Sequence, residues 1–365
     1  MGFKCGIIGL PNVGKSTIFN ALTAAGAEVA NYPFCTIDPN VGIVSVPDQR
    51  LEKIAEIIKP PKVTHTAIEF LDIAGLVAGA SRGEGLGNKF LGHIREVDAV
   101  VHIVRGFDSP SVVHVNGTID PVRDIETVAT ELILADLETL EKKIARVDRP
   151  AKSGDKLARK EVGLCERIMD SLDKGIPMKN VPINDEEKEI VRDLHLLTLK
   201  KVLYVVNVSE SILKEGNHDY ITRVKSIAEK EDAKVIVICG DLEAEISELP
   251  KEEQQEFFHE LGLAESGLQQ LIRAGYDLLG LITFYTTAGS ELRAWTIPKG
   301  TRAPAAAGRI HSDMEKGFIR SEVIHFDAFI KIGSMVKAKE NGLIRSEGKD
   351  YIISDGDIAY FRFNL

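Results

Sequence analysis

The stretch GLPNVGKST, Gly9 to Thr17, follows the apolar run FKCGIIG and opens the helical pattern KSTIFNALTAA. It fits GxxxxGK[ST], with Gly9, Gly14, Lys15 and Ser16 at the fixed positions. A strand, a glycine-rich turn and a helix in that order let backbone N–H groups and a helix N-terminus wrap phosphate oxygens. Glycine is needed because a side chain would collide with phosphate or forbid the turn. Asn12, Val13, Gly14, Lys15, Ser16 and Thr17 are therefore the expected phosphate contacts. Lys15 is the expected catalytic cation on the β and γ oxygens, and Ser16 the expected Mg2+ ligand. Asn12 can also help hold a K+ beside the phosphates.

Outward from that loop, FLDIAG ends an apolar strand with Asp72 and Gly75. An aspartate there holds Mg2+ in P-loop hydrolases, and the glycine N–H faces the γ-phosphate. Between the two motifs, NYPFCTIDPN carries Thr36, the natural second hydroxyl ligand for Mg2+ in a loop that closes over the γ-phosphate. Many related folds place a glutamine just after DxxG to orient the attacking water. Here that residue is Leu76, which can neither donate nor accept. His114, in SVVHVNG, is the candidate replacement, since histidine can position or accept from water at neutral pH. The glycines at 79, 83, 85 and 87 suit a loop that rearranges with nucleotide state.

Short β-branched runs alternate with helical patterns: FKCGIIG, NVGIVSV, TAIEFLDIAG and DAVVHIVRG, then KVLYVVNV and KVIVICG after residue 200. Near-continuous apolar strands separated by helices predict a mostly parallel sheet covered on both faces. About 90 residues without a strand signal precede KVLYVVNV and carry apolar residues at three- and four-residue spacing. They predict a helical hairpin inserted into the sheet unit, with RPAKSGDK at its tip. Strand-like segments return near Gly280, with one helical stretch around HSDMEKGF, predicting a small α+β module. The expected division is a nucleotide-binding unit of residues 1–130 and 201–279, a helical insertion of 131–200, and a terminal module of 280–365.

LYVVNVSESI (Leu203–Ile212) is close to the Asn-Lys-x-Asp by which GTP-binding proteins grip guanine, but valine and glutamate replace the lysine and aspartate. A carboxylate only accepts, so an aspartate suits the paired donors of guanine and repels the acceptor N1 of adenine. Glu210 is longer and need not sit in the same place, and Val208 lacks the lysine stem that covers the base. Asn207 offers both donor and acceptor, enough for the exocyclic amine and N7 of adenine. Gly240, with Glu243 behind it, supplies the other wall of the base pocket. Asn207, Val208, Glu210 and Gly240 thus favour ATP, with GTP weaker, and a relaxed site accepting both is the alternative.

The net charge of −10 argues against indiscriminate nucleic-acid binding, and no DNA contact is expected. From Leu140 to Lys160, however, eight basic residues stand against three acidic ones. Such a patch suits RNA phosphate, although a solvated helix face explains it equally well. No apolar run reaches membrane length. Cys5, Cys35, Cys165 and Cys239 are scattered without a CxxC pair, so neither a disulfide framework nor a zinc site is supported. A reduced, cytoplasmic protein, monomeric and without membrane contact, is the expectation.

GLPNVGKST, NYPFCTIDPN, DIAGLVAGASRGEGLGNKFL and NVSE, followed by RAWTIPKG and DMEKGFIRSEV, together resemble the Obg-like ATPases of the YchF type, in the same order over essentially the whole chain. The resemblance implies a translation-factor-class P-loop fold that prefers ATP, a helical insertion, and a C-terminal TGS module of ubiquitin-like β-grasp form. It also implies slow hydrolysis and association with the ribosome or ribosomal RNA. On this chain it assigns Gly9 to Thr17 to phosphate, Ser16 and Thr36 to Mg2+, Asp72 and Gly75 to the switch, and Asn207 to Glu210 to the base. A Mg2+-dependent ATPase switch is the leading expectation. A GTPase with relaxed base recognition, or a nucleotide-sensing scaffold with incidental hydrolysis, are the alternatives. A small-molecule P-loop kinase is disfavoured, because DxxG is present and an Arg-rich lid is not.

Overall fold

The computed structural model describes residues 3–25, 40–75, 86–110, 112–115, 117–263, 265–288 and 290–364. The chain begins with β1 (Lys4–Ile8), α1 (Lys15–Ala25), β2 (Val41–Ser45), α2 (Gln49–Ile58), β3 (Lys62–Thr64), β4 (Ala67–Asp72), α3 (Leu86–Glu96) and β5 (Ala99–Gly106). After α4 (Pro121–Lys152), α5 (Lys156–Leu172) and α6 (Asp185–Leu194) it returns through β6 (Lys201–Val208), α7 (Glu210–Glu215), α8 (Asp219–Lys230) and β7 (Lys234–Ile238). Then α9 (Gly240–Ser247), α10 (Lys251–Glu260) and α11 (Gly267–Leu278) follow.

The first sheet has the order β2-β4-β1-β5-β6-β7, with β2 antiparallel at the edge and every other pair parallel. β5 is buried at all eight positions, which is why its sequence is an apolar run rather than an alternation. On β6, Leu203 and Val205 face a core shared with α1 and α11. Tyr204, Val206 and Val208 face α8 and Ile125 of α4.

α4 explains how the insertion is rooted. Asp120 caps it by accepting from the N–H groups of Val122 and Arg123, and Pro121 needs no donor there. Its 32 residues span roughly 48 Å at 1.5 Å per residue. The first half belongs to the sheet core through Ile125, Val128 and Leu132. Further along, Leu140 joins Leu164, Cys165 and Ile168 of α5 and Val191 of α6 in a separate core. Helical structure therefore starts before residue 131. Buried Asp136 pins the returning chain by accepting from the N–H of Leu197 (2.7 Å) and from the N–H (2.8 Å) and hydroxyl (2.7 Å) of Thr198. The turn at Ser153–Asp155 is the hairpin tip, inside RPAKSGDK, and Asp155 caps α5.

The terminal module adds β8 (Leu281–Ala288), β9 (Glu291–Pro298), α12 (Ala303–Ile310), α13 (Ser312–Lys316) and β10 (Phe318–His325). It closes with α14 (Phe326–Ile332), α15 (Met335–Glu340), β11 (Arg345–Glu347) and β12 (Asp357–Phe363). Its sheet runs β11-β10-β12-β8-β9-β3, an antiparallel β8–β9 hairpin with β12 parallel to β8. Four helices stand where the sequence predicted one. The sixth strand is the larger departure: β3 comes from the first unit and pairs in parallel with β9, Val63 opposite Leu292. α2 goes with it, burying Leu51 and Ile54 beside Tyr285, Leu292 and Phe329. Asp48 accepts from the Tyr285 hydroxyl at 2.5 Å, and Arg50 pairs with Asp355 at 2.7 Å. Residues 48–64, which the sequence assigned to the nucleotide-binding unit, are thus packed against the terminal module. Among the described residues no helix is long and apolar enough to cross a membrane.

Candidate nucleotide site

The phosphate loop connects β1 to α1, and three neighbouring strands hold it in place. Gly14 sits at φ 85°, and a Cβ there would run into the Asn207 amide nitrogen. The left-handed conformation and the lack of space both demand glycine. Lys15 is ion-paired through Nζ to Oδ1 of Asp72 at the end of β4, both side chains being mostly buried. Gly75 lies against the same loop, since a Cβ on it would meet Pro11 at 3.4 Å. Ser16 is exposed in the first turn of α1 and Thr17 half-buried behind it.

Asn207 connects the phosphate loop to the base side. Its Nδ2 donates to the Val13 carbonyl at 2.9 Å, and its Oδ1 accepts from the Gly240 N–H at 2.9 Å. Beyond these two bonds the amide nitrogen has a second hydrogen and the oxygen a second lone pair. Gly240 opens α9, so Asn207 spans the space between the phosphate loop and that helix. Glu243, one turn further, is buried and accepts from the Gly267 N–H at 2.5 Å. Burial pushes its pKa up to about 7, against the opposing pull of the Gly267 and Leu268 N–H groups.

Two expected contacts fall elsewhere. Val208 is 2 % exposed and packs into the α8 side of the sheet, so its side chain faces away from the Asn207 side. Alternation along β6 makes this unavoidable, because neighbouring residues point to opposite faces. His114 is buried, and its Nε2 lies 2.8 Å from Oδ2 of Asp124 in the first turn of α4. That pairing braces the segment after β5 against α4. Glu210 is exposed in the first turn of α7 and paired with Lys214 at 2.6 Å. Thr36, Leu76 and the glycines at 79, 83 and 85 lie outside the described residues.

Sequence reasoning missed Arg105. It is 2 % exposed, and its guanidinium donates to the carbonyls of Phe107 (3.1 Å), Val112 (2.8 Å) and Asn12 (3.4 Å). A charged residue inside the apolar run DAVVHIVRG was the available signal. Asn12, at φ 64°, answers with a bond from Nδ2 to the Val113 carbonyl at 3.1 Å.

The donor set suits Mg2+. Among the described residues no cluster of three or more His, Cys, Asp or Glu could cage a metal. Asp72 and Ser16 instead offer one carboxylate and one hydroxyl beside the phosphate loop, as expected of an ion that takes few protein ligands plus substrate phosphates.

Residues 4–143 match the family described as 50S ribosome-binding GTPase. Residues 281–364 match the YchF-GTPase C-terminal family, described as a protein of unknown function. The chain is 53% identical over 366 residues to a Bacillus subtilis protein named ribosome-binding ATPase YchF, covering 100% of both chains. It is 53% identical over 365 residues, again 100% of both, to the Pasteurella multocida protein of the same name. A solved structure described as the Schizosaccharomyces pombe YchF GTPase superposes with a TM-score of 0.89 at 36% identity, covering 99% of this chain and 98% of that one. The similarity runs along the full length of these relatives, and the chain belongs to the YchF family of P-loop nucleoside triphosphate hydrolases.

Proposed function

We propose that this protein is a cytoplasmic, Mg2+-dependent ATPase that prefers ATP to GTP and acts as a nucleotide-controlled switch on the ribosome. The observation that carries the base preference is the position of Asn207. Its amide is held between Val13 and Gly240 with donor and acceptor valences to spare, while Glu210 is drawn toward Lys214 and no lysine stands at 208. Adenine, with an amine and N7 on one edge, matches that amide. The names of the Bacillus and Pasteurella relatives support ATP and the ribosome as ligand and partner.

Lys15 neutralises the β and γ oxygens once it leaves Asp72, and Asp72, Ser16 and Thr36 would hold Mg2+. When bound, the ion would supply charge neutralisation to the phosphates. The N–H of Gly75, beside Pro11 of the loop, would meet the γ-phosphate, and Leu76 can neither donate to nor accept from the attacking water, so slow turnover is expected. Asn12, its Nδ2 engaged by Val113, keeps Oδ1 as a ligand for K+. A role for His114 on the attacking water requires it to leave Asp124.

The switch reading is supported by the path of residues 41–72. The strand that follows the Thr36 segment and the strand that ends at Asp72 are joined through α2 and β3, which are packed into the terminal module. Movement at either end of this segment is therefore transmitted to that module. Single-turnover ATP hydrolysis in Mg2+, with and without K+ and ribosomes, tests the proposal. Stimulation by both is expected, and none by either would favour a scaffold.

A further inference from the structure

We infer that Arg105 is a positioning residue of the nucleotide site, a buried cation that locks the phosphate loop to the segment following β5 and strengthens its N–H donors. The inference rests on the nucleotide-site reading given above. The β5–β6 ladder sets Arg105 directly beside Asn207, with both side chains on the phosphate-loop face. Each holds one of two consecutive loop carbonyls, Arg105 that of Asn12 and Asn207 that of Val13. A donor on the Asn12 carbonyl polarises the peptide whose N–H belongs to Val13, and a donor on the Val13 carbonyl does the same for Gly14. Those N–H groups are the ones the loop offers to phosphate.

The lock is reciprocal. Arg105 holds Asn12 and Val112 together, while the Asn12 side chain holds the next carbonyl, that of Val113. This fixes Asn12 in a left-handed conformation that asparagine adopts more readily than most residues but less readily than glycine. The guanidinium also lies over the Phe107 ring, 4.5 Å from its centroid.

Its hydrogen-bond acceptors are neutral carbonyls, and the carboxylates of Asp108 and Asp124 act on it only through space, without a direct ion pair. Burial lowers the Arg105 pKa despite those two carboxylates, so holding a cation here is costly, and an apolar residue of similar volume would fill the space at less expense. The charge gains a function where an anion arrives next door, and the triphosphate is that anion. Val208, where GTP-binding proteins carry lysine, points to the other face, so Arg105 is the cation this end of the sheet directs at the loop.

The test is calorimetric titration of the full chain with ATP and with GTP, for wild type, Arg105→Gln, Arg105→Lys, Asn12→Gly and the double variant Asn12→Gly/Arg105→Gln, with a thermal melt of each. Arg105→Gln is expected to weaken ATP binding about tenfold or more, as loss of a charged hydrogen bond does. Arg105→Lys is expected to recover part of that loss, because it keeps the charge without the fork. The double variant is expected to bind within about twofold of Arg105→Gln, since both residues serve one lock and their losses do not multiply. Should Arg105→Gln fail to fold, Arg105→Lys still decides: affinity between about twofold and tenfold below wild type supports the inference. An Arg105→Gln or Arg105→Lys protein that melts lower but binds ATP like wild type would overturn it, as would fully multiplicative losses. Failure of the wild type to bind either nucleotide would instead overturn the site reading, and the inference with it.

Discussion

Asn207 on β6 reaches across to the phosphate loop and donates to the Val13 carbonyl at 2.9 Å, one residue before the glycine whose missing Cβ makes room for it. The same amide accepts from Gly240, so phosphate loop and base wall share a single side chain. Gly14→Ala puts a methyl group into that amide and forces alanine to φ 85°. Nucleotide affinity should fall by about two orders of magnitude or more, with the fold retained, because the clash is relieved by displacing Asn207. Calorimetry alongside a thermal melt checks this, and near-normal ATP binding would show that the loop tolerates the displacement.

Asp72 and Lys15 hold each other, so a nucleotide must compete with Asp72 for the lysine. Asp72→Asn removes the competitor as well as the carboxylate expected to hold Mg2+. Affinity for ATP in EDTA should be unchanged or higher, whereas affinity in Mg2+ should drop about tenfold and hydrolysis should be lost. Parallel titrations in the two buffers separate the roles. Equal weakening in both would mean that Asp72 shapes the site without serving the metal.

Glu243 makes stability depend on pH. Its pKa rises from 4.5 to about 7 on folding because burial disfavours the charged form. The folded protein therefore binds more protons than the unfolded chain between those values, and its stability declines as pH climbs through that window. The span corresponds to a loss on the order of 3 kcal/mol, complete above about pH 7. Glu243→Gln keeps an acceptor for the Gly267 N–H but cannot ionise, so its stability curve should be flatter from pH 5 to 7.5. Denaturant melts at several pH values would show the difference. Parallel curves for the two proteins would count against the buried-acid explanation.

Much of the architecture was readable from spacing. The parallel sheet followed from apolar runs such as DAVVHIVRG, and the hairpin tip from RPAKSGDK between two helical patterns. The site motifs were equally visible, because glycine and lysine at fixed spacing have few other uses. What stayed hidden is what tertiary contact decides. β3 is three residues long and carries no periodicity of its own, so nothing local announced its pairing with β9. Arg105 reads as the polar end of a strand until the fold buries it beside Asn207. His114 has the chemistry of a catalyst, and only the position of Asp124 shows that it is already paired.

Part of the charge on the basic tip is already paired. Lys142 and Lys152 pair with Glu138 and Asp148 along α4, and Lys160 with Glu186, all at the surface. Exposed pairs of this kind add little stability and exchange readily for phosphate. Reversing Lys142, Lys152, Lys156 and Lys160 to glutamate should leave the melt within a few degrees while weakening ribosome co-sedimentation severalfold, most clearly at low salt. Unchanged co-sedimentation would remove the tip from the ribosome contact.

The most direct measurement is calorimetric titration of the nucleotide-free protein with ATP and with GTP in Mg2+ and K+. ATP is expected to bind at least about tenfold tighter, since one well-placed hydrogen-bonding edge is worth that much. Equal affinities would mean that the pocket around Asn207 is relaxed. Tighter binding of GTP would contradict the adenine reading of Asn207 and Glu210.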